Sequence, residues 1–249
     1  AGVSAFRQLA QERATADVMR LSDPEETAVT MAMSGPSGRA AEALERYLSV
    51  RKVTAGSLAI LGWEGTRGSV MARRLDGIGV LRRNGGVSLG SSVGAAWLKH
   101  RFDGPFLRDD LLDSGYLVET LETATHWSRL GDLRAGIRDA LQDSLTVDGL
   151  PPYVMSHVSH VYETGASLYV TVLAVQGDDP REQWRQAKAA AMDVIVARGA
   201  TITHHHAVGR DHAPWLSAEV GDVGVGVLSA VKEYLDPAHV LNPGVLGLG

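Results

Sequence analysis

Residues 152–175 restrict the fold of this chain more than any other stretch. Residues 152–162 and 166–175 both read as strands, and only Glu163-Thr164-Gly165 separates them. Strands joined by so short a turn pair antiparallel, since a parallel pair needs a crossover of a dozen or more residues. Around this hairpin, helical and extended patterns alternate. Apolar residues recur at helical spacing over 1–13, 37–50, 66–83, 126–145, 181–198 and 224–235. Asp23-Pro24, followed by Glu25 and Glu26, has the form of a capped helix start. Further short strands are expected at 17–21, 57–63, 115–122 and 200–203, and 83–94 reads as the loosest stretch. The expected fold is α+β, an antiparallel sheet flanked by helices on one face, rather than a doubly wound parallel sheet.

Composition removes several functional classes. The net charge is −5 with acidic and basic residues interspersed, so no basic face invites nucleic acid. There is no cysteine, which excludes disulfides, thiolate metal sites and a cysteine nucleophile. No apolar run approaches the roughly 20 residues of a spanning helix. The chain begins at Ala1 rather than methionine and reads as an internal portion of a longer protein. Arginine outnumbers lysine 20 to 4, a bias that points to a GC-rich bacterial genome.

The densest chemical signal is Thr203-His204-His205-His206, with Gly209 just beyond. Imidazoles titrate near neutral pH and suit proton transfer. If 200–203 is a strand that runs on into the triplet, His204 and His206 face one way and His205 the other. A polar strand end on the surface is the competing reading. For a metal, His204, His206, Asp211 and His212 are candidate ligands, with His157 and His160. Spacing argues against that site, because His157 and His160 sit three apart on an expected strand and so face opposite sides. In the hairpin strand, Ser167, Tyr169 and Thr171 share a polar face opposite Leu168, Val170 and Val172. Tyr169 is thus either an acid/base group beside a ligand or an ordinary core tyrosine. Tyr162, at the turn, is expected to reach solvent. Arg108 is suited to a phosphate or carboxylate, although a charged helix start explains it equally well. Glu119 and Glu122, three apart on a strand, do not form a same-face pair. Gly224-Val225-Gly226 lacks the strand and third glycine of a dinucleotide fingerprint.

Taken in order, these pieces resemble the FAD-linked oxidases of the vanillyl-alcohol oxidase type, and among them the alkyl-dihydroxyacetonephosphate synthases. The resemblance runs nearly end to end. It is carried by Arg20-Leu21-Ser22-Asp23, Leu61-Gly62-Trp63-Glu64-Gly65, Leu107-Arg108-Asp109, Glu122-Thr123 with Trp127, Tyr162 to Tyr169, the histidine triplet with Gly209, and Val231-Lys232-Glu233-Tyr234 with Asp236-Pro237. The Tyr169 strand and the triplet are its specific parts.

The resemblance implies a ferredoxin-like cap domain and the cofactor FAD, bound mostly by an upstream domain with no counterpart here. Residues 1–22 would be the exit from that domain, 23–203 the cap, and 204–249 a segment packing back toward the flavin. Tyr169 matches the family's acid/base tyrosine, and His204, His205 and His206 match histidines implicated in proton removal. Arg108 matches an arginine for the substrate phosphate. Arg20 matches an arginine of the flavin site, to which Asn242 is also assigned. The implied reaction exchanges acyl for fatty alcohol on acyl-dihydroxyacetone phosphate, a step of ether-lipid synthesis. Ala207 and Arg210 stand where the family has glycine and lysine. The ending Leu241-Asn242-Pro243-Gly244 looks like that of glycolate and D-lactate dehydrogenase relatives, so a 2-hydroxy-acid dehydrogenase is the alternative. An isolated, inactive fragment is the third reading. The expected partners are a small lipid or hydroxy-acid substrate and a second copy of the longer protein. Its expected place is cytoplasmic, with peripheral contact to a membrane.

Overall fold

The expected hairpin forms the middle of an antiparallel sheet. The computed structural model describes residues 1–36, 38–53 and 55–248. Its five strands are β1 (Val18–Ser22), β2 (Ala59–Gly62), β3 (Tyr116–His126), β4 (Tyr153–Val158) and β5 (Gly165–Val175), in the order β2-β1-β4-β5-β3. Every pairing is antiparallel. The helices are α1 (Gly2–Gln11), α2 (Pro24–Ser34), α3 (Arg39–Val50), α4 (Arg67–Arg83), α5 (Ser92–His100), α6 (Gly104–Asp113), α7 (Leu130–Leu145), α8 (Pro180–Ala197) and α9 (Leu216–Leu235). The chain is therefore α+β, as its pattern indicated. β1 lies within the proposed exit segment 1–22, yet it hydrogen-bonds to both β2 and β4.

Strand alternation fixes which face is dry. Leu168, Val170, Val172 and Ala174 of β5 are buried in one core with Leu133, Ile137 and Leu141 of α7 and Ala187, Ala191 and Ile195 of α8. The opposite face, carrying Tyr169 and Thr171, is only half-buried. Helices thus cover one side and leave the other for a site. Asp23 anchors the N-terminal half. Its Oδ1 accepts from Glu26 N at 2.7 Å and caps α2, while Oδ2 accepts from Ser156 N and Ser156 Oγ, each at 2.7 Å, and from Arg134 at 2.9 Å.

Several expectations need correction. The strand at 200–203 does not form. Thr201 N donates to Ala124 O on the edge of β3 at 3.0 Å, but Ile202 N goes instead to the Glu219 carboxylate at 2.9 Å, so no ladder propagates. α5 and α6 fall between expected elements, and α5 starts inside the stretch read as loosest. α5 has no buried residue, so it carries no apolar stripe to be recognised. β3 runs on to His126, so the helix expected from 126 starts only at Leu130. The helix expected over 224–235 is the second part of α9, which breaks at Gly221 where φ is +72°. Ser37, the expected first residue of another helix, lies outside the described residues. Among the described residues no helix is long and apolar enough to cross a membrane.

Candidate functional site

The register places the chemistry in one row across the open face. Ser22 of β1 pairs with His157 of β4, His157 with Tyr169 of β5, and Tyr169 with Glu122 of β3. Paired residues project to the same side. His157 stacks on the Tyr169 ring at 4.8 Å between centroids, with 17° between planes. His206 meets the same ring edge-on at 5.3 Å.

Glu122 is a site residue that residue type and spacing did not single out. It is 2% exposed, and neither carboxylate oxygen makes a well-aligned hydrogen bond. The three histidines of the triplet surround it. His204 Nδ1 lies 3.4 Å from Oε1, while His205 Nδ1 and His206 Nε2 lie 3.0 and 3.6 Å from Oε2. The triplet therefore does not alternate as a strand would. It sits in a turn after the unformed strand, free to turn all three rings toward one carboxylate. Ala207 follows with φ +65°, the left-handed conformation that favours glycine.

His160 and Tyr162 join this group because of a bulge. The pairing slips by one residue between His157↔Tyr169 and Val161↔Ala166, so one extra residue lies on the β4 side. The slip reverses side-chain parity, and His160 lands on the same face as His157. Its ring is 5.0 Å from that of His204 and 4.8 Å from that of His205. The Tyr162 hydroxyl, expected in solvent, is 2.8 Å from His204 Nε2. The spacing argument that set His157 and His160 on opposite sides fails for this reason. Desolvation, and then the charges of His205 and His204, hold His160 below its ordinary 6.5.

The remaining candidates lie apart from the cluster. Arg108 donates to Val118 O at 3.2 Å and pairs with Glu119 at 2.9 Å. Glu119 is an odd number of residues from Glu122 and belongs to the other side of β3, as expected. Asp211 pairs with Lys188 at 3.0 Å, and His212 Nδ1 lies 3.1 Å from Val208 O. Burial, and then Lys188, lower the His212 pKa below 6.5. Among the described residues, neither Asp211 nor His212 belongs to a metal-ligand group with the triplet. Asn242 has φ +47°, and its segment returns to the loop beyond the histidines through Leu246 N to Gly209 O at 2.8 Å and Arg210 to Pro243 O at 2.6 Å. A cleft of about 400 Å³ bordered by Tyr47, Arg51 and Arg82 shares no residue with the cluster.

Arg20 reaches the row through a buried relay. It pairs with Glu26 Oε1 at 2.9 Å, and the same oxygen is 2.9 Å from His157 Nδ1. Burial opposes ionisation of Glu26, but the hydrogen bond and charge of His157, with Arg20, outweigh it and hold the carboxyl below its ordinary 4.5. A depressed carboxyl contributes stability above the unfolded-state pKa, and that stability is lost as pH falls through the folded value. Thermal melts should therefore show stability declining below about pH 4.5, with Glu26→Gln less stable at neutral pH but flatter through that window. A Glu26→Gln profile parallel to that of the parent would remove Glu26 as the source.

A helix-backed antiparallel sheet whose open face presents tyrosine, histidines and a buried carboxylate defines a cap-type catalytic domain. Comparison with known proteins gives the family. The profile of the FAD linked oxidases, C-terminal domain, matches residues 1–246, and the chain belongs to that family. It is 30% identical to an alkyldihydroxyacetonephosphate synthase of Dictyostelium discoideum over 97% of its own length, and 28% identical to one of Trypanosoma brucei brucei over 92%. A solved structure of an alkyldihydroxyacetonephosphate synthase superposes with a TM-score of 0.70 at 25% identity, over 97% of this chain and 41% of that one. The chain spans 41% and 38% of the two relatives' lengths.

Proposed function

We propose that this chain is the cap and C-terminal part of a larger flavoenzyme that exchanges acyl for fatty alcohol on acyl-dihydroxyacetone phosphate. The observation that carries the reading is the meeting of Tyr169 with His206 on the open sheet face, above a buried carboxylate. Its support from outside is the likeness to alkyldihydroxyacetonephosphate synthases along nearly the whole chain. In this reading residues 1–22 leave the flavin domain, 23–203 form the cap and 204–249 return toward the cofactor.

The residues present fit part of FAD. Tyr169 lies on the open face, and its hydroxyl has no hydrogen-bond partner among the described residues, so it is free to meet a ring edge. Arg20 is fixed on the same face by Glu26, and Asn242 would approach from the returning segment. The phosphates would be held elsewhere in the longer protein. When bound, FAD supplies an electron-accepting ring that activates the substrate. Loss of a proton from a carbon beside a carbonyl needs a base with a pKa near 7, which His206 provides beside Tyr169. Glu122 stabilises the imidazolium that results. Arg108 would bind the substrate phosphate by exchanging Glu119 for it.

The test uses the longer protein loaded with FAD, acyl-dihydroxyacetone phosphate and a labelled fatty alcohol. The expected result is labelled ether lipid and released fatty acid with no net bleaching of the flavin. Bleaching by D-lactate or glycolate, without exchange, would overturn it in favour of a 2-hydroxy-acid dehydrogenase.

A further inference from the structure

We infer that Glu122, His160, His204 and His205 form a binding site for a divalent transition-metal cation of the zinc class. One ligand atom from each lies within 4.8 Å of the others. Three of them are already close to the spacing of a metal shell. His204 Nδ1 and His205 Nδ1 are 3.0 Å apart, and they lie 3.4 and 3.0 Å from the two Glu122 oxygens. Tetrahedral zinc with bonds of about 2.0–2.1 Å sets its ligand atoms about 3.3–3.4 Å apart. His160 completes the set from the bulge, where Ser167 N donates to its carbonyl at 2.8 Å and its own N–H donates to Ser167 Oγ at 3.1 Å.

Charge calls for a cation at the same point. A buried carboxylate is costly unless paired, and among the described residues no lysine or arginine lies within ion-pair reach of Glu122; only imidazoles do. The outer contact also suits a metal. With Nδ1 of His204 on the ion, its Nε2–H is left to donate to the Tyr162 hydroxyl 2.8 Å away, and metal-bound histidines regularly have such a partner. Two imidazoles and a carboxylate, with a third imidazole, form a donor set for zinc rather than for calcium or magnesium. His206 is left out of the set, still facing Tyr169, so a metal would hold the loop without taking the base assigned above.

The inference concerns binding alone and does not rest on the flavin reading. The 249-residue chain, stripped with a chelator, is titrated with zinc chloride in a calorimeter at about pH 7.5, where imidazoles are largely neutral. The expected result is one equivalent bound with Kd at or below about 1 μM. Glu122→Gln and His160→Asn should each weaken binding by more than the roughly 10- to 100-fold that loss of an outer-shell partner costs, and Tyr162→Phe should fall within that range. His206→Asn should leave the affinity unchanged. His160 is exposed, so His160→Asn will fold even if Glu122→Gln does not, and circular dichroism checks both. Absence of saturable binding, or binding equal in the parent and in His160→Asn, overturns the site; the latter means zinc caught by surface histidines alone.

Discussion

Tyr169→Phe in the FAD-loaded longer protein is expected to cut turnover by about 10²- to 10⁴-fold, the range for a positioned acid or base, with flavin content unchanged. The structure makes this substitution unusually clean. The ring is held by stacking on His157 at 4.8 Å and by the edge of His206 at 5.3 Å, and phenylalanine keeps both contacts. The hydroxyl has no partner among the described residues, so its removal orphans nothing and the melting temperature should hold. A core tyrosine would behave oppositely, losing about 1 kcal/mol for a broken hydrogen bond with turnover per folded molecule intact. Tyr162→Phe is the necessary comparison, because its hydroxyl does bond His204. Full turnover in Tyr169→Phe beside lost turnover in Tyr162→Phe would assign the chemistry to the wrong tyrosine.

Gly165→Ala should lower stability by about 3 kcal/mol, the upper part of the usual overpacking cost. At about 2–4 °C per kcal/mol for a chain of this size, the melting temperature should drop by roughly 6–12 °C. A Cβ at residue 165 would lie 2.1 Å from Thr125 O and 2.9 Å from Thr125 C, both backbone atoms of the neighbouring strand. Side-chain rotation cannot relieve that contact, so the ends of β3 and β5 must separate. The same ladder sets Glu122 opposite Tyr169, so the change should disturb the site as well as the fold. Gly131→Ala is the control. Nothing lies within 4 Å of the position its new methyl group would take, and alanine in a helix gains up to about 1 kcal/mol over glycine. A Gly165→Ala melt matching that of the parent would show that the two strands are not held as described.

Much of this protein follows from local pattern. The capped start at Asp23-Pro24, the apolar stripes of α7 and α8 and the alternation along β5 are set by nearest neighbours in sequence, so their burial is legible in the amino-acid order itself. The two faces of β5 came out as alternation requires, with Leu168 and Val170 in the core and Tyr169 on the open side. The histidine triplet and Tyr169 also stood out from residue type alone.

What brought them together lies outside local reach. Glu122 looked like one charge among several, because the β3–β5 register that sets it beside Tyr169 joins residues 47 apart and leaves no mark in either strand. The bulge that turns His160 and Tyr162 to the site is a one-residue slip, and a slip reverses every parity argument drawn from spacing. Glu219 took the Ile202 amide that a strand would have used, which released the triplet to gather round one carboxylate. Arg108 went to Glu119, a partner chosen by the docking of α6 on β3. Sequence by itself determined the elements, the dry face and the chemical groups available. Only the tertiary structure decided which groups share a site, because register, bulges and competition for single backbone donors depend on contacts between distant segments.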